Sequence, residues 1–354
     1  MYCTGTQTIE GPNPQGGIDV SVLAGASDYI SASCGPRQIM QPFGPKIVFP
    51  KFKENINGGG AYYAAKCVCY VSGESWNGST CTKSVSSIAF LSGLTEIRPA
   101  GTGGTATLQL TAKVVEGATP RSGVAIQFSV DVPARSGGHD HGDPSRPKGA
   151  LAPASGVTDA NGEVRFNFNA AQISGVHNIT ATCNDCVNKT AVEKITVKVP
   201  ELINIFTLPF RDAQWAFPGI GQTGEHPDNH YVTIAAATRM LDISRKYQKI
   251  WPTAPKLTLN DASLVWGGKF DIKGTWDRNP KAHAEHRIGD NMDIRANSAP
   301  GAVPANISEV VFRWLRNTSR PADNIPADFV IDSVDPLWEN PGDINEHFHL
   351  RLGK

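Results

Sequence analysis

At 354 residues the chain is too long for one ordinary core, which favours two or three domains. Lysine plus arginine and aspartate plus glutamate both number 33, and this balance argues against a general nucleic-acid or anionic-membrane binder. Glycine at 35, proline at 25 and only 8% aromatic residues point to many turns and short strands, and no apolar run is long enough to span a bilayer.

Residues 1–84 show little helical periodicity. Gly, Ser, Pro and cysteine break up short apolar runs such as Tyr62-Tyr63-Ala64-Ala65-Lys66-Cys67-Val68-Cys69-Tyr70, the pattern of a small, disulfide-stapled β region with no recognisable chemistry. Cys3, Cys34, Cys67, Cys69 and Cys81 lie here, Cys183 and Cys186 lie mid-chain, and the last third has none. Cys67 and Cys69 are too close for a zinc knuckle, and Cys183-Asn-Asp-Cys186 lacks a second such pair. Disulfides of an exported protein fit better, with one cysteine left over, so the expected location is extracellular or periplasmic. A targeting segment ahead of Met1 is then expected to have been removed or replaced.

From 85 to 199 the chain alternates. Thr107-Leu108-Gln109-Leu110-Thr111-Ala112-Lys113-Val114 and Val124-Ala125-Ile126-Gln127-Phe128-Ser129-Val130 each put one face in a core and one in water. Further strands are predicted over 163–168, 177–182 and 194–199, with Thr158-Asp159-Ala160-Asn161-Gly162 as a tight hairpin turn. Short strands with regular turns make a β-sandwich. The run from Gly156 to Phe166 resembles bacterial immunoglobulin-like surface modules, which implies a spacer or a domain that binds a surface partner. A polar loop, His139-Asp140-His141-Gly142-Asp143, lies between strands; it reads as solvated, with metal binding as the alternative.

Residues 200–354 read as a small α+β domain. An amphipathic helix is predicted over 231–251, with Ile234, Ala237, Leu241, Ser244 and Tyr247 on one face and Asp228 or Asn229 as its cap. His226 and His230 precede it, in expected capping or surface roles, with lining of a substrate cleft as the alternative. A strand near Leu257-Thr258-Leu259 follows, then Trp266-Gly267-Gly268; Trp266 and Trp276 bracket this turn, as core residues or as a substrate wall. A second helix over 308–317 buries Val311, Trp314 and Leu315, and strands at 329–331 and 347–352 close the chain.

Two segments carry chemistry: His286-Arg-Ile-Gly289-Asp-Asn-Met-Asp293 and His347-Phe-His349. Zinc takes neutral imidazole and carboxylate ligands, and a catalytic site keeps three protein ligands with the fourth position open. His286, Asp293 and one histidine of the pair supply that set. His347 and His349 are two apart in a strand, so they share a face and one can bind metal while the other handles protons. Gly289 is expected to turn the chain so that Asp293 returns to the metal.

The segment from His283 to Ile294 and the ending His347-Phe-His349-Leu-Arg-Leu resemble the two signature regions of the penicillin-insensitive murein endopeptidases, in the group that also holds lysostaphin-type and D-Ala-D-Ala metallopeptidases. The resemblance implies one Zn²⁺ per chain on His286, Asp293 and His349, with His347 catalytic and His283 a supporting active-site histidine. It implies a peptidoglycan peptide as substrate and a bacterial host; a further reading keeps the enzyme with another peptide substrate, a protein or a free D-amino-acid dipeptide. Where that family has an acid two residues before the ligand aspartate, this chain has Asn291, with Asp290 beside it. The competing expectation is a surface adhesion or scaffold protein with a silent peptidase-like domain.

Overall fold

The structure, a computed structural model, describes residues 74–76, 81–83, 86–91, 93–142, 145–209, 215–216, 226, 228–271, 276, 285–296, 301–331 and 334–353. Most of the cysteine-rich region, together with Asp143 and His283, lies outside these residues. The chain divides into two compact units, one of Met1–Ser87 with Glu116–Thr119, the other of Ile88–Val115 with Pro120–Lys354. Of the first unit, the described part includes two antiparallel strands, Glu74–Trp76 and Cys81–Lys83.

The second unit begins with a β-sandwich. One sheet runs in the order Ser86–Phe90, Thr107–Glu116, Glu163–Asn169, Ala150–Ala152, and the other Glu96–Ile97, Thr190–Val197, Gly175–Thr182, Ala125–Asp131, Ser155–Val157. The predicted alternation is realised: Leu108, Leu110, Ala112 and Val114 point inward from one strand, and Ile126 and Phe128 from another. The sheets meet through side chains such as Phe128 and Phe166, stacked with ring centroids 3.9 Å apart. The turn before Gly162 is not a hairpin. Its flanking strands, Ser155–Val157 and Glu163–Asn169, belong to different sheets. Asp159 Oδ1 accepts hydrogen bonds from the backbone N–H groups of Asn161 and Glu163, and Gly162 takes φ of +72°. Cys183 and Cys186 form a disulfide.

Beyond the sandwich lie the two α-helices of the described residues, Ile234–Ile250 and Ala305–Leu315, and a three-stranded antiparallel sheet. In that sheet His347–Arg351 is central, between Asn291–Arg295 and Asp335–Glu339. The first helix starts later than its periodicity predicts because Tyr231–Val232 pairs with Ile203–Asn204 as strand. Thr233 is the cap, its hydroxyl accepting from Ala236 N–H, in place of Asp228 or Asn229. The buried stripe is Ala236, Ala237, Met240, Ile243, Ser244 and Tyr247, whereas Ile234 is 62% exposed. Val311, Trp314 and Leu315 of the second helix are buried as expected. The predicted strand at 329–331 is instead a 3₁₀ turn, Ala327–Phe329, whose Phe329 carbonyl accepts from Trp314 Nε1–H at 2.8 Å.

The glycine turn after Trp266 joins sandwich and helices within this unit. Gly268 N–H donates to Arg287 O at 2.8 Å, Lys269 N–H to Gln172 O at 2.7 Å, and Val199 N–H to Trp266 O at 2.9 Å. A Cβ on Gly267 would lie 2.7 Å from Arg287 O, so this approach needs glycine. The chain next to His286 is thereby tied to the sandwich.

Candidate functional site

His286 sits in the turn that precedes the strand Asn291–Arg295. Gly289 makes that turn with φ of +77°, and a Cβ there would fall 2.5 Å from Leu202 Cδ2 and 3.0 Å from Val232 Cα. Asp290 Oδ1 accepts from Thr233 Oγ1–H, the hydroxyl that also caps the long helix, and Asn291 Nδ2–H donates to Glu285 O. Asp290 and Asn291 thus fix the turn to its neighbours.

Strand register completes the set. Asp293 faces His349 across the sheet, and Arg295 faces His347. His349 Nδ1 is 2.8 Å from Asp293 Oδ1, and His286 Nε2 is 3.3 Å from Asp293 Oδ2. His286, Asp293 and His349 are all buried, and their ligand atoms lie within 4.8 Å of one another. Zinc bonds of 2.0–2.2 Å at tetrahedral angles would space such atoms about 3.3–3.6 Å apart; the residue types and the His286–Asp293 separation fit a zinc ion, and the 2.8 Å His349–Asp293 contact would open by about half an ångström.

His347 stands at the rim, with Nε2 3.4 Å from Asp293 Oδ2 and 3.4 Å from Glu339 Oε2. Its Nδ1 meets Asn345 O at 2.7 Å. The structure therefore brings together His286, Asp293, His347 and His349.

Acidic groups not foreseen from the sequence surround the set. Glu285 Oε2 lies 3.3 Å from His349 Nε2, and Glu285 is itself gripped by Arg351 through Nε at 2.5 Å and Nη2 at 2.7 Å. Asp261 lies beneath Asp293: Asp293 N–H donates to Asp261 O at 2.8 Å, and Asn229 and Asn260 amides hold the Asp261 carboxylate. Burial, and then the Asp293 charge, push the Asp261 carboxyl up to about 6. Asp293 itself is held well below the usual carboxylate range, because the charges and hydrogen bonds of His286, His349 and His347 overcome its burial. Nothing local in the sequence marks Asp261 or Glu285, since both act through contacts across the fold.

The polar loop of the sandwich is only partly solvated: Gly142 is exposed, while the histidines turn inward. His139 is 1% exposed, and His139, His141, His226 and Asp271 form a second group of close donors. His226 is buried there, not a surface or capping residue, and His230 is buried against the Phe206 ring at 4.7 Å. Burial, then the neighbouring imidazoles, lower His226 to about 4; burial also lowers His230 to about 4. Trp276 packs on His139 and His141, with ring centroids 4.9 and 4.3 Å away.

No family model matches the sequence, and no curated protein matches it. Among solved structures, the chain is similar to the C-terminal 282-residue fragment of intimin, in complex with the intimin-binding domain of the translocated intimin receptor. The identity is 17%, over 28% of this chain and 29% of that one, with a TM-score of 0.20. It is also similar to the D00-D0 domain of intimin (13% identity, 42% of this chain, 77% of that chain, TM-score 0.23). A third likeness is to the Escherichia coli adhesin FdeC (13% identity, 44% of this chain, 49% of that chain, TM-score 0.23). None of the three is described as a peptidase, and TM-scores this low carry no argument about function. No described helix is long and apolar enough to cross a membrane.

Proposed function

We propose that this chain is an exported zinc-dependent peptidase that hydrolyses peptide bonds of peptidoglycan stems or cross-links. The observation that carries the reading is Asp293 paired with His349 across two strands, with His286 returned to them by the Gly289 turn. His286, Asp293 and His349 would hold a zinc ion, which would supply Lewis acidity for the scissile carbonyl and for acidifying water.

His347 handles the proton. A carbonyl only accepts, so the contact to Asn345 O places the His347 proton on Nδ1 and leaves the lone pair on Nε2. Nε2 takes a proton from the attacking water and returns it to the leaving amine. Glu339 Oε2 lies 3.4 Å from the same Nε2, beside the path of that proton. Glu285 orients His349, and the resemblance gives His283 a supporting place beside the substrate. The Cys183–Cys186 disulfide supports an oxidising, extracytoplasmic location.

A second reading is a surface adhesion or scaffold protein with a silent C-terminal domain. Its support is an open sheet edge: Thr190–Val197 pairs along its length with Gly175–Thr182, while Glu96–Ile97 meets it on the other side only at Thr196 and Val197. Among the described residues the rest of that edge is available for a partner strand, beside a Val192 that is 55% exposed.

Zinc content and release of new amino termini from purified muropeptides separate the two, measured for the wild type, His286→Ala and His347→Ala. The peptidase reading expects metal lost in His286→Ala, metal retained in His347→Ala, and turnover lost in both. A folded wild type that binds no divalent metal excludes it. Bound metal with no turnover on any muropeptide transfers the weight to the adhesion reading.

A further inference from the structure

In the second histidine group three imidazoles converge on one carboxylate oxygen. The Nε2 atoms of His139, His141 and His226 lie 2.8, 3.0 and 2.9 Å from the same oxygen, Asp271 Oδ1. His139 Nε2 and His141 Nε2 are also 3.1 Å apart. His139 Nδ1 meets Lys269 O at 2.7 Å, so that nitrogen carries the proton of the neutral ring and Nε2 presents a lone pair. With that ring neutral, a lone pair facing carboxylate and imidazole lone pairs is repulsive unless a cation, a metal ion or an added proton, sits among them. The other Asp271 oxygen is already committed, accepting from Trp276 N–H at 2.8 Å, which leaves Oδ1 for the shared point.

The surroundings are those of a closed site. The side chains of His139, His141, His226 and Asp271 are 0%, 5%, 5% and 6% exposed. Trp276 and Phe270 rings wall it. The loop that carries His139 and His141 is braced by the buried Arg146, which donates to Asp140 Oδ2 at 3.0 Å, Gly137 O at 2.6 Å and Ser174 O at 2.5 Å. Gly138 packs so closely that a Cβ would lie 2.7 Å from Ser174 backbone. A buried carboxylate amid aromatic walls is costly without a compensating cation.

We infer that His139, His141, His226 and Asp271 form a second divalent-metal site, distinct from the His286 set, suited to a structural zinc ion. Three imidazoles and one carboxylate fill a tetrahedron and leave no open position, which is the structural rather than the catalytic pattern. His139 and Asp271 are 132 residues apart, so the ion would staple the sandwich loop to the segment after the glycine turn. Binding to the folded state alone makes such an ion a source of stability.

The experiment uses the full chain in a His286→Ala/His349→Ala background, which removes two of the three donors of the first set. Apo protein is titrated with Co²⁺ and with Zn²⁺, and metal per chain, the visible spectrum and thermal unfolding are recorded. The inference expects one ion per chain, the intense visible bands of tetrahedral Co²⁺, and a rise in Tm on Zn²⁺ addition. Adding His139→Ala and His141→Ala should abolish all three. A background protein that binds no ion, or a quadruple variant that keeps it, overturns the inference. Should the quadruple variant fail to fold, His226→Gln and Asp271→Asn are compared singly in the same background; a folded variant that retains wild-type affinity and spectrum overturns it equally, and loss of either supports it. Turnover does not enter this count, so failure of the peptidase reading and failure of the second metal site are separately visible.

Discussion

Asp293 and His349 face each other in adjacent antiparallel strands, with His349 Nδ1 2.8 Å from Asp293 Oδ1. Backbone pairing holds the two side chains together, so on the proposed zinc reading neither has to be recruited when metal binds. Replacing either residue with alanine should lower zinc affinity by well over about 100-fold, more than loss of an outer partner costs. Competition with a chromogenic chelator measures this, and wild-type affinity in both variants would remove the pair from the ligand set.

Glu285 is an outer partner of this kind. Its carboxylate lies between His349 and Arg351, and that ion pair holds it below the usual carboxylate range. Glu285→Gln should weaken zinc binding by about 10- to 100-fold. The melting temperature of the apo protein should hardly move, because Glu285 is 43% exposed and Arg351 keeps Asp335 at 2.9 Å. An unaltered zinc affinity would show that Glu285 does not orient His349.

His177 should make the sandwich sensitive to acid. It is 1% exposed, and burial, reinforced by the Arg146 charge and opposed by the Gly175 carbonyl, lowers it from 6.5 to about 4. A histidine depressed in the folded state contributes stability above its unfolded pKa, and that stability is lost as pH falls through the folded one. The window is therefore about pH 6.5 down to 4, and the full span is about 3 kcal/mol. In His177→Gln, urea unfolding at pH 7 and at pH 4.5 should differ less than in the wild type. An equal difference in the two proteins would exclude His177 as the source.

Two glycines separate strain from packing. Gly289→Ala meets both a φ of +77° and a Cβ 2.5 Å from Leu202, whereas Gly342→Ala meets φ of +83° with nothing within 4 Å. Alanine at 342 should cost about 1 kcal/mol, and at 289 about 2–4 kcal/mol, together with weaker zinc binding. Denaturant unfolding of the two variants tests this, and equal costs would show that the Leu202 contact yields freely.

Most sandwich strands were legible because alternation is a local signal: Thr107–Glu116 buries every second residue through Val114 and needs no distant information to be read. The long helix was legible as an element and less so in its start, since Tyr231–Val232 is claimed by a strand partner nearly 30 residues earlier. The same limit explains 329–331, three apolar residues that read as strand but are fixed as a turn by the Trp314 indole. Ser155–Val157 and Glu163–Asn169 look like a hairpin because the turn chemistry is that of one; sheet membership is decided by partners elsewhere.

By itself the sequence determined the donor types, the Gly289 turn and the placing of His347 and His349 on one strand face, because these depend on residue chemistry and on a two-residue period. Only the tertiary structure decided that His349 rather than another residue lies opposite Asp293, that Asp261 and Glu285 flank them, and that His139 and His141 leave solvent to meet His226 and Asp271. His349 lies 56 positions from Asp293, and His139 and His141 lie 132 and 130 positions from Asp271. Local periodicity does not reach so far; strand register and core packing do.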